Sequence, residues 1–157
     1  MPGIIERQTQ RTTEMAEIIA LSDAYLSSLY PAESNHLVDI GDLLSERYEF
    51  FLLRVSAATV GSVAIGLTGE YPEMKRMFVK EEYRGRGYGK LLIKFILDRC
   101  RELGHTKIQL ETGINQPEAI GAYEKHGFRR IGPLGTYRED PLSVFYEIDL
   151  KLDAGDR

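Results

Sequence analysis

Apolar residues near the start of the chain recur at helical spacing. Met15, Ile18, Ile19, Leu26 and Leu29 share one face of a helix that Thr12 or Thr13 can cap and Pro31 must end. A short strand around Ile4 and Ile5 precedes it. Two apolar runs, 50–55 and 60–65, flank a small turn and predict a hairpin, and a third strand follows over 73–79. Alternation in that strand puts Glu73, Lys75 and Met77 on one face and Met74, Arg76 and Phe78 on the other. From about Gly87 the period is helical again, with Tyr88, Leu91, Leu92, Phe95, Ile96 and Leu103 on the buried stripe and Gly104 as the stop. Residues 107–111 read as a strand, and a helical crossover of this length lets them lie parallel to 73–79. Pro117 opens and Gly127 closes one more helix, and strands over 128–131 and 144–150 finish the sheet. The prediction is an α/β fold with a mixed sheet: an antiparallel meander joined through a helix to a parallel strand.

Composition narrows the class. The 157 residues, 43% of them hydrophobic, suit one domain over 1–157 with a frayed polar tail at 153–157. A net charge of −4, a pI near 5.5 and basic residues interleaved with acids argue against a nucleic-acid partner. No apolar stretch reads as a signal peptide or a membrane span, so the expected location is cytoplasmic and without a membrane partner. One cysteine and three scattered histidines give no disulfide and no metal-ligand spacing, so no metal is expected.

The most informative segment is Arg84-Gly85-Arg86-Gly87-Tyr88-Gly89-Lys90, which runs directly into the helix. Alternating glycines let a ligand approach the main chain closely. The amides at the helix start, its dipole and the charges of Arg84, Arg86 and Lys90 favour a phosphate or pyrophosphate. A Walker A loop is excluded, because Arg84 and Leu91 stand where Gly and Ser or Thr are needed. The dinucleotide fingerprint fails because its third glycine would fall on Lys90.

The remaining pattern, Arg-x-x-Gly-x-Gly over Arg84, Gly87 and Gly89, resembles the loop of the Gcn5-related N-acetyltransferases. The resemblance extends to 73–79 before the loop and 119–128 near the end of the chain. It implies a GNAT fold whose fourth and fifth strands splay around acetyl-CoA, with the pyrophosphate on the loop. The cofactor-binding residues it implies are Met77, Phe78, Val79, Arg84, Gly85, Arg86, Gly87, Tyr88, Gly89, Lys90, Asn115 and Gln116. Backbone donors near Phe78 and Val79 would face developing oxyanion charge. Many relatives carry Asn where this chain has Gln116, with Asn115 preceding it, so the amide has a different reach.

Acetylation of an amine needs a proton acceptor, because an alkyl ammonium is mostly protonated at neutral pH. By resemblance Glu73 is the general base and Tyr123 the acid that protonates the departing thiolate. The alternatives are an exposed Glu73 paired with Lys75 or Arg76, and a Tyr123 that is only a buried aromatic. Ser34, Asn35 and His36, in a polar loop after Pro31, and Lys75 on the third strand of the meander are the expected acceptor-binding residues. Cys100 reads as core, which favours direct attack in a ternary complex over an acetyl-cysteine. His105 and His126 read as helix-end positions. The reading is an acetyl-CoA-dependent N-acetyltransferase acting on the primary amine of a small molecule such as an amino acid, and open sheet edges would permit a homodimer. A protein N-terminal or lysine acetyltransferase, or a non-catalytic acetyl-CoA sensor, are the alternatives.

Overall fold

A computed structural model describes residues 3–31, 38–134, 137 and 140–150. Among the described residues seven strands, β1 (Ile4–Gln8), β2 (Tyr48–Val55), β3 (Ala58–Gly66), β4 (Glu73–Val79), β5 (Lys107–Gly113), β6 (Arg129–Ile131) and β7 (Ser143–Asp149), form one sheet in the order β1-β2-β3-β4-β5-β7-β6. All neighbours are antiparallel except β4 and β5, which are parallel. Helices α1 (Thr13–Leu29) and α2 (Ile40–Leu43) cover one face; α3 (Tyr88–Glu102) and α4 (Pro117–Lys125) cover the other. Thr12 rather than Thr13 caps α1, its side chain accepting from the Met15 amide. Among the described residues no helix is long and apolar enough to cross a membrane.

Both faces of the central strands are covered, so they read as continuous apolar runs. Phe50 and Leu52 pack towards α1 and α2, while Phe51 and Leu53 pack beneath α3. Glu49 at the edge of that second core is held by both guanidinium arms of Arg99, at 2.8 and 2.9 Å, which ties α3 to β2. The buried stripe of α3 is Leu92, Ile93, Ile96, Leu97 and Cys100, while Leu91 and Leu103 are exposed, against the sequence expectation. With most positions from 88 to 97 apolar, the period could not fix which stripe turned inward.

The alternation expected in β4 is also broken. Its register against β3 slips between Ser62 and Ala64, and Arg76 takes a left-handed backbone conformation with φ 56°. A bulge inserts one residue and flips the side chains beyond it. Glu73, Lys75, Arg76 and Phe78 therefore lie on the α1 side, and Met77 joins Met74 on the α3 side. The strained residue is held from several directions. Its guanidinium donates to the Val38 carbonyl at 2.7 and 3.1 Å and pairs with Asp23, and its own carbonyl accepts from the Ser62 hydroxyl at 3.2 Å. Pairing of β4 with β5 covers only Glu73 with Gln109 and Met74 with Leu110, so the two strands diverge from Lys75 onward.

Candidate active site

A cleft of about 350 Å³ opens where β4 and β5 part, over the start of α3. Met77, Phe78 and Val79 form one wall, the segment from Arg84 to Lys90 the base, and Asn115 and Gln116 the far side. Every expected cofactor-binding residue borders it except Arg86, whose guanidinium sits 5.6 Å from the Tyr83 ring centre. Gly85 and Gly87 have φ of 80° and 89°, and a Cβ at either would meet nothing within 4 Å, so they serve conformation rather than space. The N-cap of α3 is Gly87, which has no side chain to bond the first turn, and residues of that turn border the cleft. These amides and the positive end of the helix dipole suit a phosphate-bearing ligand. Arg84 folds back instead: its Nε donates to the Val79 carbonyl at 2.8 Å and its guanidinium covers the rings of Tyr25 and Phe78 at 4.8 and 5.4 Å.

A second, smaller cleft of about 100 Å³ lies deeper in the gap, bordered by Tyr30, Glu73, Lys75, Glu111, Thr112 and Tyr123. Ser22, Leu26, Met77 and Gln116 line both clefts, so the two meet there. The Tyr123 hydroxyl is 3.9 Å from the Met77 sulfur, at this junction. Tyr123 is 6% exposed, and burial pushes its phenol far above its ordinary value, so it remains a neutral O–H donor. Glu73 accepts from the Tyr137 hydroxyl at 2.9 Å and from Lys75 Nζ at 3.3 Å, and Lys75 also donates to the Tyr137 oxygen at 2.7 Å. Glu73 is therefore paired with Lys75, yet half-buried rather than exposed.

The model of the acetyltransferase (GNAT) family matches residues 15–128. The chain belongs to the GNAT family. It is similar to an IAA acetyltransferase of Azospirillum brasilense, 41% identical over 150 residues, covering 94% of this chain and 98% of that one. A Klebsiella pneumoniae structure described as an acyl-CoA N-acyltransferase is 29% identical, with a TM-score of 0.81 over 94% of this chain and 97% of that one. A GNAT structure from Elizabethkingia anophelis with acetyl-CoA bound has the same fold, at 18% identity and a TM-score of 0.71 over 94% of this chain and 98% of its own. This GNAT chain is thus an N-acetyltransferase.

The GNAT site also contains residues that the sequence pattern did not reveal. Tyr30 closes the junction from the end of α1: its hydroxyl accepts from the Asn115 amide at 3.0 Å and donates to Gln116 Oε1 at 3.3 Å. Glu111 accepts from the Ser143 hydroxyl at 2.7 Å inside the smaller cleft. Tyr137 comes from the β6–β7 connection. It is an isolated tyrosine in a segment with no apolar period, so nothing in the spacing marked it. Ser34, Asn35 and His36 lie outside the described residues. Cys100 is fully buried and its thiol is pushed up to about 12, mainly by burial, so it is core. Among the described residues no group of three His, Cys, Asp or Glu could hold a metal.

Proposed function

We propose that this GNAT enzyme moves the acetyl group of acetyl-CoA to the primary amine of a small molecule, by direct attack in a ternary complex. The observation that carries this reading is the meeting of two clefts at Met77 and Gln116, one over the glycine loop and one polar and small. Acetyl-CoA fits the first: open glycine amides and the start of α3 for its pyrophosphate, Asn115 and Gln116 for its arm. It supplies an activated thioester. The chain holds the amine in the second cleft, where Glu73 takes a proton from the ammonium and Tyr123 keeps one ready for the departing sulfur. The smaller cleft, of about 100 Å³, has room for a compact amine. An acceptor that carries a carboxylate, such as an amino acid, would meet Lys75 there.

Thiol release from acetyl-CoA across a panel of amino acids, their esters, simple alkylamines and lysine peptides tests the reading. Turnover with the small amines supports it. Turnover with peptides alone would replace it with protein acetylation, and tight CoA binding without turnover on any amine would favour a sensor.

A further inference from the structure

Lys75 and Glu73 border two clefts at once. One is the small polar cleft between β4 and β5; the other, of about 600 Å³, lies on the far flank among Tyr48, Thr68, Tyr71, Gln109 and Leu134. Tyr137 borders only the larger. The partition is therefore made of side chains, and Tyr137 is what fastens it. Its hydroxyl accepts from Lys75 Nζ at 2.7 Å and donates to Glu73 at 2.9 Å, while the ammonium lies 5.4 Å from the centre of its ring. The ring in turn rests on Phe145, with centroids 5.6 Å apart. Without Tyr137 the long Lys75 side chain has rotamer freedom to swing aside, and the two spaces join.

We propose that Tyr137 sets the length limit of the acceptor: it closes the inner end of the acceptor cleft by clamping Glu73 and Lys75, with the larger cleft as blocked space behind. The ligand class for that space is the tail of a linear primary amine, met by the rings of Tyr48 and Tyr71 and the amide of Gln109. This rests on the reading that the small cleft takes the acceptor.

The test uses linear amino alcohols of about two to eight carbons, a series in which every member carries the same ammonium and hydroxyl and length is the variable, with thiol release from acetyl-CoA as the readout. Each rate is divided by that of the shortest acceptor in the same variant, which cancels any general loss of activity. Wild-type enzyme should discriminate against the longer members. Tyr137→Ala should raise the relative kcat/KM of the longest by about tenfold, the order of magnitude worth one or two well-placed methylenes. Tyr137→Phe, which loses both hydrogen bonds but keeps the ring on Phe145, should give a smaller rise and serves if the alanine variant folds poorly. If Tyr137→Phe, and Tyr137→Ala where it folds, keep the wild-type length profile while binding CoA normally, the inference is overturned and the small-amine reading stands. A wild-type enzyme active on the shortest member with no length dependence would also overturn it. Binding of CoA with no turnover by wild type of any member, nor of the amino acids, esters and alkylamines of the panel above, would bring down the small-amine reading itself.

Discussion

The Tyr30 hydroxyl occupies the space in which a side chain at Gly113 would begin: a Cβ there would lie 1.8 Å from that oxygen. Gly113 is glycine for room, since its φ is not among the positive ones. The tyrosine uses that room to join the end of α1 to the start of α4 through Asn115 and Gln116.

Gly113→Ala should therefore expel the Tyr30 ring and cost about 2 kcal/mol, because a buried hydroxyl and a backbone amide both lose partners. Tyr30→Phe keeps the ring in place and should cost about 1 kcal/mol. Urea unfolding of both variants measures the difference. A Gly113→Ala midpoint equal to wild type would show that the ring does not pack there.

The glycine loop separates conformation from space. At Gly87, φ 89° and open surroundings mean that Gly87→Ala adds only backbone strain, about 1–2 kcal/mol of lost stability. Gly89 is helical, and its Cβ would point 3.5 Å from the Met77 methyl, inside the larger cleft of the gap. Gly89→Val should leave stability near wild type but weaken CoA binding by about tenfold or more, since crowding a packed site costs about 1–3 kcal/mol. Calorimetry with CoA decides it, and unchanged affinity would remove the loop from the binding site.

These details show which parts of the molecule were legible in the sequence. The α3 start, the Pro117 and Gly127 bracket and the meander were readable because each is written in neighbouring residues. The bulge at Arg76 was not: a left-handed arginine has no local signature and depends on Asp23 and Val38 from distant elements. That one residue reversed Met77 relative to Glu73 and so determined which groups share a cleft. Tyr30 and Tyr137 reach partners 86 and 64 residues away, and spacing rules carry no information at that range.

Glu73→Gln and Tyr123→Phe should each keep CoA affinity and lower kcat by roughly 10²-fold if both carry full proton-transfer work. Neither touches the glycine loop, so binding and rate should separate. The two variants should also differ from each other. Glu73→Gln replaces an acceptor of both Lys75 and Tyr137, so it should perturb the acceptor KM as well. Rates undiminished in both variants, with a good acceptor at saturation, would leave Glu73 as an ion-pair residue and Tyr123 as core.

Cys100 should be dispensable. With its thiol pushed up to about 12, on the order of one molecule in 10⁵ carries a thiolate at neutral pH. Cys100→Ser should lose about 1–3 kcal/mol from burying a hydroxyl in an apolar core, yet retain turnover per folded molecule. Intact-protein mass spectrometry during turnover should detect no acetyl group on Cys100. A stoichiometric adduct that passes to the amine would refute direct attack.

Burial raises the phenols of Tyr123 and Tyr137 above their ordinary value, which gives the fold a defined response to alkali. The unfolded chain releases these protons near pH 10, whereas the folded chain holds them. Each group therefore contributes its stability in full below about pH 10, and the contribution falls as pH rises toward its folded value. Per group the fall approaches about 1.4 kcal/mol for each pH unit. Urea midpoints taken between about pH 9 and 11 should decline in wild type and decline less steeply in Tyr123→Phe, which removes one of the protons held by the fold. Tyr123 has the simpler environment, since burial alone raises it, so its variant is the sharper probe. An identical alkaline slope in wild type and Tyr123→Phe would mean that the phenol ionises as freely in the folded enzyme as in the unfolded chain, so that burial does not hold its proton.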